Sequence, residues 1–152
     1  LSKDLHLIST TNWPDMITAI VTDSPIVMQS LNDSVKSIQA GAIATFCGDV
    51  RDNDSDKTVS SLTYEVHPTA QRVIEEITQQ IAAKHDVHGV AVAHRYGPIP
   101  IGETAFAVVI SAVHRGPAFA ACEEIVSRVK AELPIWKYQV FADGTTEWVN
   151  SA

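Results

Sequence analysis

The sequence predicts a single α+β domain, in which a mostly antiparallel sheet packs against two long helices. The 152 residues are 45% apolar and 19% charged, a composition that favours one domain with a packed core over a disordered chain. Strand-like apolar runs outnumber the helical segments and do not alternate with them in a regular strand–helix–strand repeat. Two longer segments carry apolar residues at the 3.6-residue spacing of amphipathic helices.

The first half of the chain is predicted to contain four strands and one short helix. The four apolar runs that predict strands are 5–8, 17–21, 41–46 and 61–66. A short helix over about 26–38 follows Pro25, which suits the first turn of a helix. The polar residues 52–60 predict a solvated loop between the third and fourth strands.

The second half contains the two long helices, at 68–85 and about 116–132. The first presents an apolar stripe to the core, formed by Ala70, Val73, Ile74, Ile77 and Ile81. The second has Pro117 in its first turn and Pro134 beyond its end. The remaining strands are predicted at about 90–96, 105–113, 135–141 and 146–149. The turn-rich residues 97–102 favour a hairpin-like link between the first two of these strands.

Composition also excludes some classes of function. The chain has 11 Lys and Arg against 18 Asp and Glu, a net charge of −7, which argues against partners such as nucleic acids or anionic membranes. No apolar stretch reaches the roughly 20 residues of a membrane span. Cys47 and Cys122 lie in apolar runs, which predicts buried free thiols in a reducing, cytoplasmic compartment.

No metal site is predicted. Residues 52–56 begin like a calcium loop, but Lys57 stands where such a loop has Gly, and Thr63 stands where it has Glu. His85 and His88 straddle a predicted helix end without further ligands nearby.

Cationic side chains stand where predicted elements end, and they are the candidate anion-binding residues. Arg51 ends the strand after Gly48. His114 and Arg115 lie where an apolar strand gives way to a helix, whose first N–H groups bind anions. An ordinary capping or salt-bridging role for Arg115 remains open from these residues alone.

Two lysines flank the end of the last helix. Lys130 falls beside the apolar stripe, so that its stem can be buried while its ammonium group reaches a cleft. Lys137 alternates with Trp136 and Tyr138 along the next strand and therefore faces the opposite side. A helix end and the following strand can place both lysines in one pocket. Two solvated surface lysines are the open alternative.

Five segments together resemble one known family, the catalytic (large) subunit of molybdopterin synthase. They are GAIATFCGDVR at 41–51, LTYEVHP at 62–68, VAHRYG at 92–97, VHRGPAF at 113–119 and VKAELPIWK at 129–137. The likeness extends over roughly 17–150 in unbroken order. On this resemblance, 17–152 form the single catalytic domain, and 1–16 are an N-terminal segment to which the sequence assigns no role.

The resemblance implies an α/β-hammerhead-like fold and a homodimer within a two-plus-two heterotetramer. The other component would be a small ubiquitin-like sulfur-carrier subunit whose C-terminal Gly-Gly thiocarboxylate enters a pocket of the large subunit. The sulfur would pass to cyclic pyranopterin monophosphate to build the molybdopterin dithiolene, which makes the protein a sulfurtransferase. The resemblance implies neither a cofactor nor a metal.

The resemblance also implies the site residues. Those matched to substrate binding are Asp49, Val50, Arg51, His114, Arg115, Lys130, Lys137, Tyr138 and Gln139. Lys130 matches the essential lysine and Lys137 its supporting partner. Clustered cations would reduce the repulsion between two anionic reactants, and Lys130 is expected to act as general acid/base or electrostatic stabiliser.

Three positions depart from the family pattern and define the main alternative. Asp49 stands where a small or basic residue is common, and Tyr138 and Gln139 replace a cationic residue and Glu. A non-catalytic carrier-binding scaffold of the same fold is therefore the alternative function. A small phosphohydrolase is a second alternative, which predicts turnover of phosphate esters without any carrier protein.

Overall fold

The structure, a computed structural model, describes residues 16–150 as two β-sheets and three helices. The helices are α1 (Met28–Val35), α2 (Ala70–Lys84) and α3 (Arg115–Glu132). The strands are β1 (Met16–Thr22), β2 (Ala42–Asp49), β3 (Asn53–Asp54), β4 (Lys57–Val66), β5 (Gly89–Arg95), β6 (Gly97–Ile99), β7 (Thr104–Ala112), β8 (Ile135–Phe141) and β9 (Thr146–Val149).

The two sheets have different roles in the fold. The first has the order β1-β5-β7-β2, in which β1 and β5 are parallel and the other pairs are antiparallel. The second has the order β3-β4-β8-β9, with β6 also paired to β4. The predicted α+β class, with a mostly antiparallel sheet and two long helices, is confirmed.

The first sheet is covered on both faces. α2 and α3 pack on one face, against residues such as Val92, Val108 and Ile110. The short helix α1 covers the other face, where Val35 packs against Ala91 and Val109. Every residue of β5 is buried for this reason, and its sequence therefore reads as a continuous apolar run without strand alternation.

Several boundaries differ from the sequence prediction. The helix predicted over 26–38 is only α1, because the backbone turns extended at Lys36 and Ile38 is fully exposed. The predicted strand at 5–8 lies outside the described residues. The predicted link 97–102 contains β6, which leaves the first sheet and pairs with β4 of the second. Cys122 is buried as predicted, whereas Cys47 is exposed on the outer face of edge strand β2.

The most consequential correction concerns 52–60, which do not form a solvated loop. β3 and the start of β4 form a hairpin, in which Asn53 pairs with Thr58 and Asp54 with Lys57. Ser55 and Asp56 have φ values of 51° and 63°, the left-handed backbone that a two-residue hairpin turn requires. The hairpin extends the second sheet and places Asp54 within hydrogen-bond distance of Gln139 on β8.

No helix within 16–150 combines the length and apolarity needed to cross a bilayer.

Candidate functional site

A cleft of about 190 Å³ opens between the two sheets, at the end of β2. The first sheet contributes Phe46 and Phe106, and the second contributes Leu62 and Tyr64. These four side chains form an apolar wall, because the facing sides of both sheets belong to the core. Polar side chains surround this wall; they are Asp49, Arg51, Asn53, Asp54, Lys130, Lys137 and Gln139.

Three cations line the cleft together: Arg51, Lys130 and Lys137. Lys130 comes from the last turn of α3, and Lys137 comes from β8, which begins after the chain reverses at Leu133 and Pro134. None of the three forms an ion pair with another residue within 16–150. Their charges are therefore available to an anionic ligand.

The strand that carries Lys137 keeps the predicted alternation. Lys137 and Gln139 point into the cleft. Tyr138 faces the other way and packs against Trp148, with ring centroids 4.8 Å apart. The structure thus places Tyr138, a predicted substrate-binding residue, outside the cleft of its own chain.

A β-bulge at the end of β2 shapes one rim. The register of β2 against β7 shifts between Gly48 and Asp49. Such bulges are common next to functional sites, where they redirect a side chain. The Asp49 carboxylate accepts hydrogen bonds from Thr104 Oγ1 at 2.8 Å and from Cys47 Sγ at 3.1 Å. The Val50 side chain is buried, and its amide donates to the Glu103 carbonyl at 2.9 Å, which fixes the backbone just before Arg51.

Asp54 is a cleft residue that the sequence analysis assigned to a solvated loop. Its Oδ2 accepts a hydrogen bond from Gln139 Nε2 at 2.7 Å, and Gln139 is only 2% exposed. This bond, together with the charges of Lys137 and Arg51, lowers the pKa of the Asp54 carboxyl below its usual value. The turn residues Ser55 and Asp56 lack the glycine that marks most two-residue hairpin turns, so the sequence carries no clear signal for this placement.

His94 lies directly beneath the apolar wall. Its ring stacks on Phe106 at 5.3 Å between centroids and meets Tyr64 edge-on at 5.0 Å. Nδ1 lies 2.9 Å from the Arg95 carbonyl, which only accepts, so Nδ1 carries the proton and Nε2 is bare. Burial, with a smaller contribution from the Lys130 charge, lowers the pKa of His94 to about 4, and the imidazole is neutral at pH 7.

His114 and Arg115 lie at the other end of the first sheet. Asp49 pairs with Thr104 at the cleft end of β7, and Ala42 pairs with Ala112 at the far end. His114 and Arg115 follow that far end, roughly 25 Å from the cleft at about 3.3 Å per strand residue. Both are exposed, and they do not contribute to the cleft of their own chain.

Among residues 16–150, no group of three or more His, Cys, Asp and Glu side chains could hold a metal ion. The cleft itself offers three cationic and several hydrogen-bonding side chains, an arrangement suited to binding and polarising anions.

Comparisons with known proteins point to one family. Residues 21–132 match the family model described as MoaE protein. A molybdopterin synthase catalytic subunit from Arabidopsis thaliana is 44% identical over 113 residues, which are 74% of this chain and 57% of that protein. One from Aspergillus niger is 38% identical over 141 residues, 91% of this chain and 78% of that protein. The chain thus spans little more than half the length of the plant relative.

Solved structures share the fold. A molybdopterin synthase from Staphylococcus aureus superposes with a TM-score of 0.79 at 28% identity, covering 85% of this chain and 94% of that one. A chain from a complex of subunits 1 and 2 of the Helicobacter pylori molybdopterin-converting factor superposes with a TM-score of 0.67 at 20% identity, covering 89% of each.

Proposed function

We propose, from the premise that this chain belongs to the MoaE protein family, that it is the catalytic subunit of a molybdopterin synthase. In this role it transfers sulfur from the thiocarboxylated C-terminus of a small carrier subunit to cyclic pyranopterin monophosphate. The catalytic-subunit names of the relatives support the enzyme class. The Helicobacter pylori protein, whose fold this chain shares, was solved with its partner subunit.

The observation that carries the proposal is the set of unpaired cations in the cleft. A thiocarboxylate and a cyclic phosphate are both anions, and both must occupy one site before a carbon–sulfur bond forms. Arg51, Lys130 and Lys137 surround that space without ion pairs to other described residues. They reduce the repulsion between the reactants and stabilise charge that develops at phosphate or carbonyl oxygens.

Lys130 is the proposed catalytic residue, with Lys137 as its partner. The Lys130 side chain is exposed and lines the cleft beside the apolar wall. A ligand that fills the cleft would exclude water from the ammonium group and strengthen its electrostatic effect. It is placed to stabilise the carbonyl oxygen of the thiocarboxylate during sulfur transfer, or to move a proton at the reacting centre. Lys137 adds a second positive charge from β8.

His114 and Arg115 fit this function only through a second copy of the chain. Because they lie at the opposite end of the first sheet from the cleft, they cannot contact a ligand bound by their own Lys130. In a homodimer, each copy could supply this pair to the cleft of the other. We therefore retain both as substrate-binding residues across a subunit boundary, in a two-plus-two assembly with the carrier.

The test is the variant Lys130→Ala, assayed with thiocarboxylated carrier and cyclic pyranopterin monophosphate. Removing one preorganised donor from such a site costs roughly 10²–10³-fold in rate, so product formation should fall by about that factor. Carrier binding, measured by titration calorimetry, should change little because one side chain is a small part of a typical protein–protein interface. Lys36→Ala, which removes an exposed lysine far from the cleft, should retain full activity.

Near-normal turnover of Lys130→Ala would remove this lysine from the mechanism. A wild-type chain that binds the carrier but forms no dithiolene would instead support the scaffold function.

A further inference from the structure

The hairpin of β3 and β4 places one carboxylate among the cations of the cleft. Asp54 lines the same cleft as Arg51, Lys130 and Lys137, and its pKa is lowered first by its hydrogen bond to Gln139 and then by the charges of Lys137 and Arg51. It forms no ion pair within 4.0 Å with any described residue. The cleft therefore has a negative side as well as a positive one.

Gln139 fixes the orientation of this carboxylate. The Gln139 side chain extends from β8, is buried, and donates from Nε2 to Asp54 Oδ2 at 2.7 Å. The only other protein donor to Asp54 among the described residues is Ser55 Oγ, at the long distance of 3.4 Å from Oδ1. An ionised carboxylate has about four acceptor positions, so each Asp54 oxygen retains free acceptor capacity.

We propose that Asp54 is a specificity-determining residue that accepts hydrogen bonds from the N–H edge of the pterin ring. This inference deepens the proposed function and rests on it. The 2-amino-4-oxopyrimidine edge of a pterin presents two neighbouring N–H donors, one from the ring nitrogen and one from the amino group. A carboxylate matches two such donors in the same way that it matches an arginine fork.

The charges of the cleft divide the substrate between two sides. The phosphate and the thiocarboxylate are drawn to Arg51, Lys130 and Lys137, and the donor edge of the pterin is drawn to Asp54. A ligand bound the other way round would place its phosphate against a carboxylate, which is repulsive. Asp54 thus fixes the orientation of the pterin with respect to the catalytic lysine.

The experiment compares two neutral probes, pterin and lumazine. Lumazine has an oxo group in place of the 2-amino group of pterin. Their dissociation constants are measured by fluorescence titration for the wild-type chain and for Asp54→Asn. A charge-assisted hydrogen bond contributes about 1.5–3 kcal/mol, so the wild-type chain should bind pterin at least tenfold tighter than lumazine. Asp54→Asn should reduce that ratio to about one, because the amide keeps an oxygen for Gln139 but loses the charge.

Asp56→Asn is the matched control. It removes the same charge two residues away in the same hairpin, at an exposed position outside the cleft whose left-handed backbone Asn tolerates. It should preserve the wild-type ratio. Gln139→Leu, which leaves the Asp54 charge in place without its anchor, should reduce the ratio partially.

Inorganic phosphate is the third probe. Its binding shows whether the cleft of Asp54→Asn is still folded. Phosphate should bind Asp54→Asn at least as tightly as it binds the wild-type chain, because a negative charge has been removed. An unchanged pterin ratio in Asp54→Asn, or a joint loss of pterin and phosphate binding, would overturn the inference.

The carrier-dependent assay separates this inference from the proposed function. A wild-type chain that forms product but shows no Asp54-dependent ratio refutes the inference alone. A ratio that depends on Asp54 in a chain that forms no product supports pterin recognition and refutes sulfur transfer.

Discussion

At the residue scale, the site combines cationic side chains that form no ion pairs with other described residues and a buried histidine that stays neutral. Arg51, Lys130 and Lys137 line the cleft without ion pairs to other described residues. Immediately beneath them, His94 is completely buried and has no hydrogen-bond partner at Nε2 among the described residues. Its burial favours the neutral imidazole, so the apolar wall carries no charge that would compete for the anionic ligand.

The neutral state of His94 makes stability depend on pH. Its pKa is about 4 in the folded protein, below the ordinary value of 6.5, so the unfolded chain binds the proton first as the pH falls. The stabilising contribution is therefore present above about pH 6.5 and is lost progressively between pH 6.5 and 4. Linkage gives a loss of about 2 kcal/mol between pH 7 and pH 5.

Urea denaturation at these two pH values checks this prediction. The drop in unfolding free energy should be about 2 kcal/mol smaller for His94→Gln than for the wild-type chain, since Gln does not titrate. Acidic residues outside this site contribute equally to both proteins and cancel in the comparison. Equal drops would show that His94 is not the group responsible.

At the element scale, three local structures build the cleft: the bulge that ends β2, the β3–β4 hairpin, and the turn between α3 and β8. Each places a charged side chain at the end of an element, where the backbone is fixed by pairing and the side chain is free to reach a ligand. The first sheet supports these structures, and α1 packs against β5 and β7 on the face of that sheet opposite the long helices.

Gly89 lies where β5 packs tightly against Val35 of α1. A Cβ at this position would lie 2.9 Å from Ser111 Oγ and 3.1 Å from Val35 Cα, so the helix would have to move. Gly89→Ala should therefore destabilise the protein by about 1–3 kcal/mol, as overpacking generally does. Chemical denaturation measures the change.

Gly41→Ala provides the comparison. The nearest atom to the added Cβ is the Val113 carbonyl oxygen at 3.8 Å, an ordinary van der Waals distance, and replacing glycine by alanine at a compatible backbone position stabilises a protein by about 0.4–1 kcal/mol. Stability should stay the same or increase. If both variants had the same stability, packing of α1 would not be what requires glycine at position 89.

At the scale of the whole molecule, a chain with a net charge of −7 carries a locally basic cleft. A negative net charge disfavours polyanionic partners, yet a few local cations can still hold one small anionic substrate and one anionic peptide tail, as proposed above. The molecule also separates two sets of predicted site residues, since His114 and Arg115 lie at the far end of the first sheet.

Together with the homodimer proposed above, this separation predicts complementation between two impaired variants. Lys130→Ala and Arg115→Ala should each lose most of the activity alone, because each lacks one component of every shared site. After the two are mixed, partially unfolded and refolded, half of the dimers should be mixed, and each should contain one intact site. Sulfur transfer should then recover to about a quarter of the wild-type level. No recovery, with mixed dimers verified by mass spectrometry of tagged chains, would place all residues of a site on one chain.

The sequence by itself determined the α+β class and the two long helices. It also determined which helix face carries Lys130 and which strand face carries Lys137. These features depend on local patterns: the 3.6-residue stripe of a helix, the two-residue alternation of a strand, and proline at helix ends. The resemblance added the family, which the comparisons confirm. It could not show which of the matched residues meet in one chain.

Only the tertiary structure decided the composition of the cleft. Asp54 lies in the cleft because β3 pairs with β4 and Gln139 binds the carboxylate. In the sequence alone, its run of polar and charged residues resembles any exposed loop. Tyr138 lies outside the cleft because it occupies the opposite face of β8. His114 and Arg115 lie outside it because the antiparallel register of β2 and β7 places them beyond the far end of the first sheet. Contacts between residues distant in sequence depend on sheet pairing and packing, and a local pattern contains no information about which strands become neighbours.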